Sequence, residues 1–307
     1  MKTVLTGDLG GTKCRFALLA EDLSVHAARK VDTPEDRATF ATMLDEEFGA
    51  LLESDLPDGW EPPTAIGIGA AGVITEDARS VVYAPNLHLD GVDVAARMLA
   101  KHGLETTLIN DGRASALGEY RHGFAKGKDP LLVLFYGTGI GIGLVIDGKP
   151  YGGATNAAGE IGHVLHLPDG RVCSCGRRGC YEAYCGGRPM VERAAVELGD
   201  PSDGFARWTV GAIVSAAGDN EAAQAILDDA EVAAGAMVQS LCTLLNPGAV
   251  VLGGGVLQGW PDLRQRIEER VRSWCAGIIT EELEFVASKC ESDAILWGAA
   301  EATGVFQ

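Results

Sequence analysis

Positive charge is what this chain has least of: 25 Lys and Arg stand against 43 Asp and Glu, a formal net charge of −18. Nucleic-acid binding needs clustered Lys and Arg that release counterions from phosphates, and no such run occurs, which excludes nucleic acid as a partner. The acidic balance reads as a solubilising surface. An apolar run of membrane-spanning length is also absent, and Met1 and Lys2 lead into a strand-like segment without the apolar stretch and cleavage site of a secretory signal. A cytoplasmic protein with no membrane contact is expected. No linker or low-complexity stretch interrupts the chain, and the phosphate loop G-x-x-x-x-G-K-[ST] is missing. What is present, 47% hydrophobic and 22% charged residues over 307 positions, describes a globular protein with room for two domains. In so acidic a chain an anionic substrate such as a nucleotide would need local help from Mg²⁺, backbone amides or helix N-termini.

Val4 to Leu19 reads as two strands joined by the polar turn Gly7-Asp8-Leu9-Gly10-Gly11-Thr12-Lys13. Phe40, Leu44, Phe48 and Leu51 recur at helical spacing between Pro34 and Glu53, with Thr33 as the expected N-cap. Thr64 to Gly69 is a strand, Val94 to Gly103 a helix, and Thr106 to Ile109 a strand that delivers Asn110 and Asp111 at its end. The same grammar then restarts: Leu131 to Phe135, the turn Gly137-Thr138-Gly139, and Ile140 to Ile146. A long helix from Glu221 to Leu245 stops at Asn246-Pro247-Gly248, Ala249 to Leu252 runs into Gly253-Gly254-Gly255, and a final helix spans about Ala294 to Thr303. Two similarly opened halves predict an α/β protein of two related domains: 1–112, joined by the C-terminal helix 294–307, and 113–293.

The glycines of Gly10-Gly11-Thr12-Lys13 would let backbone N–H groups approach a phosphate, with Thr12 and Lys13 as side-chain donors and Asp8 placed toward a Mg²⁺ shell; a plain hairpin turn uses the same residues. Gly137 to Gly143 is a second such hairpin, and one donor loop from each half suits a phosphate chain better than either alone. Gly67-Ile68-Gly69-Ala70-Ala71-Gly72 matches G-x-G-x-x-G, with Asp90 downstream, but Val73 to Tyr83 reads as strand, turn, strand where a dinucleotide fingerprint requires a helix, so a dehydrogenase is rejected. Asp111 is either the N-cap of the helix that follows or a carboxylate presented at a strand end for general-base work. His163, Cys173, Cys175 and Cys180 supply one imidazole and three thiolates within eighteen residues, which suits a closed tetrahedral Zn²⁺ site better than disulfides, with His166 as a substitute ligand. Cys14, Cys242, Cys275 and Cys290 lie scattered in apolar stretches and read as core.

Asp8-Leu9-Gly10-Gly11-Thr12-Lys13, Asn110-Asp111, the Gly137 to Gly143 hairpin, Glu160-Ile161-Gly162-His163 and Cys173-x-Cys175-Gly176-x-x-Gly179-Cys180-x-Glu182 together resemble the ROK family of sugar kinases and repressors, over nearly the whole chain. The resemblance implies an actin-like ATPase (ribonuclease H-like) fold with two domains flanking a cleft. It implies that ATP phosphates sit on the two glycine hairpins, that Gly254 and Gly255 pass beside the adenosine, and that Asp111 is the catalytic base. By the same resemblance Asn86, Asn110, Glu160, His163 and Glu182 contact sugar hydroxyls, zinc is structural, and the assembly is a homodimer or homotetramer. Ala71 and Gly186 depart from the Pro and Ser usual in the family at these places, near the sugar.

The activity these readings imply is transfer of the γ-phosphate of Mg²⁺-ATP to a hexose hydroxyl activated by Asp111, with glucose the first choice of acceptor. N-acetylglucosamine and N-acetylmannosamine come next, then fructose and allose. A sugar-sensing repressor is the alternative from another class; only Met1, Lys2 and Thr3 precede the first strand, which leaves no room for a DNA-binding module and sets the expectation against it. A silent sugar-binding protein would leave Asp8 and Asp111 idle.

Overall fold

The computed structural model describes residues 1–84, 87–200, 207–290 and 293–306. Its elements run β1 (Thr3–Leu9), β2 (Lys13–Ala20), β3 (Val25–Asp32), α1 (Arg37–Leu52), β4 (Ala65–Ala70), β5 (Val73–Ile74), β6 (Val81–Tyr83), α2 (Val94–His102), β7 (Glu105–Asn110) and α3 (Asp111–His122). The chain continues through β8 (Leu131–Tyr136), β9 (Ile140–Ile146), β10 (Lys149–Pro150), a 3-10 turn (Ile161–His163), α4 (Glu182–Cys185), α5 (Gly187–Leu198), α6 (Val210–Ala217) and α7 (Glu221–Leu245). It ends with β11 (Ala249–Gly253), α8 (Gly255–Gly259), α9 (Leu263–Trp274), α10 (Gly277–Thr280), β12 (Glu284–Ala287) and α11 (Ala294–Ala302).

Two five-stranded sheets carry the fold, ordered β3-β2-β1-β4-β7 and β10-β9-β8-β11-β12. Each reads third, second, first, fourth, fifth strand in order of appearance, so the repeated opening in the sequence is a repeated sheet. In the first, β1 pairs antiparallel with β2 and parallel with β4, and β4 pairs parallel with β7. In the second, β11 is parallel to both β8 and β12. By compactness the chain divides into a unit of Met1–Gly127, Gly143–Ala158 and Ser292–Gln307, and a unit of Lys128–Ile142 and Gly159–Glu291.

In the first unit the strand period of two sends alternate side chains to opposite faces. Leu5, Leu9, Phe16, Leu18, Ile66 and Ile68 meet Phe40, Leu44 and Phe48 of α1 and Val94 and Met98 of α2. Val4, Ala17 and Leu19 meet Leu296 and Ala300 of α11 on the other face. Each of these large side chains contributes about 1.5–3 kcal/mol by leaving water, and Phe16 and Phe48 add an edge-to-face contact at 5.1 Å. Thr33 is not the cap of α1. Asp36 caps it by accepting from Thr39 N, while the Thr33 hydroxyl donates to Gly10 O at 2.6 Å and its N–H to Thr12 O at 3.1 Å.

The G-x-G-x-x-G stretch runs along β4 and then into β5, without the helix a dinucleotide site needs. Its first glycine has a packing reason instead: a Cβ on Gly67 would lie 2.1 Å from Ala299 O, so β4 admits the backbone of α11. In the second unit α7 keeps the bounds read from its sequence: Asn220 caps it by accepting from Ala222 N and Ala223 N, and Asn246 ends it in the left-handed region at φ 44°. Among the described residues no helix is long and apolar enough to cross a membrane.

Candidate functional site

In the first unit β1, β4 and β7 run parallel, so their carboxyl ends lie along one edge, the place where α/β sheets present ligand-binding groups. Asp8 stands next to last on β1, opposite Arg15 of β2 and Gly69 of β4. Asp111 is the first residue of α3, directly after β7, and the cap itself is Asn110. The Asn110 side chain accepts from Arg113 N at 3.1 Å through its oxygen; its nitrogen donates to Gly72 O at 3.1 Å and to Asp111 Oδ1 at 3.0 Å. Asp111 Oδ1 also accepts from Gly112 N at 2.8 Å. Asp111 is therefore not the N-cap that the sequence leaves open as its bland role: the neighbour caps the helix and holds the carboxylate.

Burial raises the proton affinity of both carboxyls. It is the main cause for Asp111, opposed by the Gly112 N–H, its own amide, Arg113 and Asn110. Asp8 is pushed up to about 7 by burial, then by the Asp111 charge, with Asp293 adding to it and Arg15 and Lys30 opposing. Arg15 is ion-paired with Asp293, the residue that precedes α11. No motif in the sequence marks this pair; its only signal is the position of Arg15 directly across from Asp8 in the β1–β2 hairpin. The first glycine turn closes with Gly10 N donating to Lys13 O at 3.2 Å, and Lys13 is ion-paired with Asp32 on β3. Gly11, Thr12 and Lys13 are exposed.

In the second unit the turn Gly137-Thr138-Gly139 closes with Gly137 N donating to Gly139 O at 2.9 Å. Its carbonyls are held by the first residues of α5: Gly187 N donates to Gly137 O at 3.0 Å and Arg188 N to Thr138 O at 2.9 Å. Gly254 and Gly255 follow β11, which is in register with β8 (Gly253 opposite Phe135), so they sit beside the start of this turn. Glu160 and His163 flank one 3-10 turn, with His163 N donating to Glu160 O at 3.0 Å. Glu182 opens α4 and is only 7% exposed. Its Oε2 accepts from Ile140 N at 3.0 Å and its Oε1 from Ser174 Oγ at 2.9 Å, contacts that the sequence did not suggest. Asn86 lies outside the described residues.

His163, Cys173, Cys175 and Cys180 converge, each offering a ligand atom within 4.8 Å of the others. Cys175 and Cys180 Sγ are 3.7 Å apart, and Cys173 Sγ lies 3.5 Å from His163 Nδ1. The edge of a tetrahedron of thiolates around Zn²⁺ is about 3.7 Å, so this donor set fits such an ion. The Cys180 thiol is pushed up to about 12 by burial and by its bonds to Cys175 and Cys173, so a metal that takes this thiolate must first displace its proton. His166 is not in the cluster: its ring stacks on Tyr181 at 4.8 Å.

The family model for the ROK family matches residues 4–303, and the chain belongs to that family. It is 30% identical to the glucokinase of Streptomyces coelicolor, over 96% of this chain and 95% of that one. It is 31% identical to the N-acetylmannosamine kinase of Citrobacter koseri, over 83% of each chain. Among solved structures, a ROK family glucokinase from Streptomyces griseus in complex with glucose and AMPPNP superposes with a TM-score of 0.81 at 29% identity, covering 97% of this chain and 98% of that one. The fold is the actin-like ATPase fold of these sugar kinases.

Proposed function

We propose that this chain is an ATP-dependent hexose kinase that transfers the γ-phosphoryl group of ATP to the 6-hydroxyl of glucose, with Asp111 as general base. The observation that carries the proposal is the setting of the Asp111 carboxylate. It stands at the carboxyl edge of three parallel strands, and Oδ1 is fastened by Asn110 Nδ2 and Gly112 N. With Oδ1 held, Oδ2 is the oxygen that takes the proton of the attacking hydroxyl. The start of α3 and Arg113 favour the ionised form against its desolvation.

Gly10, Gly11, Thr12 and Lys13 and the turn Gly137, Thr138 and Gly139 would give N–H and side-chain donors to the phosphates, and Gly254 and Gly255 would admit the adenosine. Asp8, on β1 with only β4 between it and the strand that leads into Asp111, would face Mg²⁺, which would neutralise charge on the β- and γ-phosphates. Glu160 and His163, at the two ends of the 3-10 turn segment, would contact the sugar; Asn110 and Glu182 would do so with donor capacity and lone pairs left over from their present bonds. A zinc ion on His163, Cys173, Cys175 and Cys180 would fix the loop from which these groups project.

The names of the relatives support a sugar acceptor and leave two candidates, glucose and N-acetylmannosamine. The test is ADP release across a panel of hexoses and N-acetylhexosamines, with Asp111→Asn as control. Wild-type turnover should be highest on glucose and fall by about 10²–10⁴-fold in the variant. Highest turnover on N-acetylmannosamine moves the acceptor; near-wild-type turnover in Asp111→Asn removes the base.

A further inference from the structure

We propose that Glu182 is a positioning residue that ties the metal-binding loop to the glycine turn Gly137–Gly139, so that metal occupancy sets the affinity for the nucleotide. The proposal rests on the reading of that turn as a phosphate loop. One carboxylate serves both sides: Oε2 accepts from Ile140 N at 3.0 Å, at the end of the turn, and Oε1 accepts from Ser174 Oγ at 2.9 Å, between two of the metal-binding cysteines. Cys173 Sγ also points at Oε1 from 4.0 Å.

Among the described residues the turn has few other anchors. Its own backbone provides the Gly137 N to Gly139 O bond, and its two carbonyls are held by Gly187 N and Arg188 N at the start of α5. Glu182, Gly187 and Arg188 all lie within nine residues after Cys180 in the sequence, so among the described residues each hydrogen bond that holds the turn from outside comes from the segment that leaves the metal cluster. Gly139 keeps the strut in place by having no side chain: a Cβ there would lie 2.4 Å from Glu182 Oε2. The loop from Cys173 to Cys180 is exposed over most of its length and buries only Cys173, Gly179 and Cys180, so without a metal its thiols lose their common centre and Ser174 loses its placement.

Removing this carboxylate frees the Ile140 amide and should weaken nucleotide binding before any sugar is present, whereas a residue that only contacts sugar would not. Two readings are taken on the full chain with zinc bound and after zinc is stripped by a chelator and restored: hydrogen exchange at the Ile140 amide, and equilibrium binding of a non-hydrolysable ATP analogue with no sugar. Glu182→Ala and metal stripping should each speed Ile140 exchange and raise the Kd for the analogue, both by about tenfold, the scale of one hydrogen bond to a charged group. Glu182→Gln, which keeps an acceptor for Ile140 N, should recover most of the loss, and Ser174→Ala should lose about threefold. Zinc content by elemental analysis guards against a variant that has simply lost its fold, and Ser174→Ala, on an exposed residue, keeps the test open in that case. An unchanged Ile140 amide in Glu182→Ala, or an unchanged analogue Kd beside a weakened sugar Kd, overturns the proposal. A wild type that binds no nucleotide refutes the functional reading and the nucleotide half of this one, and the Ile140 exchange then decides the tie by itself.

Discussion

The two glycine turns open their sheets in the same way and are stabilised by opposite means. The first, between β1 and β2, is held locally from Gly10 to Lys13: Thr33, just after β3, donates to Gly10 O and Thr12 O, and Lys13 pairs with Asp32. Its tension is electrical, because Asp8 sits among Asp111 and Asp293 with Arg15 and Lys30 as relief. The second, between β8 and β9, carries no carboxylate of its own. It is held by Glu182, Gly187 and Arg188, more than 40 residues downstream. One turn thus places its charged groups on a sheet edge, and the other takes its holds from the segment that follows a candidate metal cluster.

The largest effect that separates them is expected at Asp8. Its folded-state proton affinity, near pH 7 against an unfolded value of 3.8, means the folded chain holds a proton that the unfolded chain has lost between those values. That contribution is present below about pH 4 and lost as pH rises through 7. In ligand-free protein at pH 8, Asp8→Asn should therefore raise the thermal midpoint by about 3 °C, with the gap closing toward pH 4, while phosphotransfer falls by at least about 100-fold. A thermal scan against pH checks this; a midpoint at pH 8 equal to or below wild type contradicts the electrical account of the first turn.

A middle-sized effect tests the second turn. Gly139→Ala places a methyl 2.4 Å from Glu182 Oε2, whereas Gly137 and Gly141 have nothing within 4 Å of the same position. The Glu182 side chain is buried and committed at both oxygens, so it must give up Ile140 N to make room. Gly139→Ala should raise the KM for ATP by about tenfold, and Gly141→Ala by less than about threefold. Equal effects in steady-state assays of the two variants would mean that the glycines matter through backbone freedom and not through clearance for the strut.

This contrast also explains what the sequence discloses. The first turn, the Asn110-Asp111 step, the ends of α7 and the His/Cys cluster all depend on residues near one another in the chain, so the sequence displays them as candidates, while the roles given to the turn and to Asp111 come from the family resemblance. The strut does not, because Glu182 and Ile140 meet through a side chain and a backbone amide 42 residues apart, and no motif spacing encodes an N–H. Thr33 misled for a related reason: a Thr before Pro looks like a helix cap, yet its hydroxyl found Gly10 O across the hairpin. β3 escaped because it is exposed along most of its length, so no apolar period marks it. Gly67 showed the converse, a glycine pattern that resembles a cofactor fingerprint and answers to the backbone of α11.

The smallest effect is expected at Lys13, and it sharpens the comparison from the side of the first turn. Lys13 is paired with Asp32 of β3, but both side chains are solvent-exposed, and such pairs contribute about 0–1 kcal/mol. If the local bonds of Thr33 and the sheet hold the turn, Lys13→Ala should leave the thermal midpoint within about 1 °C of wild type. The side chain would then be free to leave Asp32 for a phosphate, and its loss should raise the KM for ATP by a few fold without changing Ile140 amide exchange in the other turn. A midpoint lowered by several degrees in Lys13→Ala would show that the ion pair is part of the turn's framework, and the first turn would then depend on a surface contact much as the second depends on its loop.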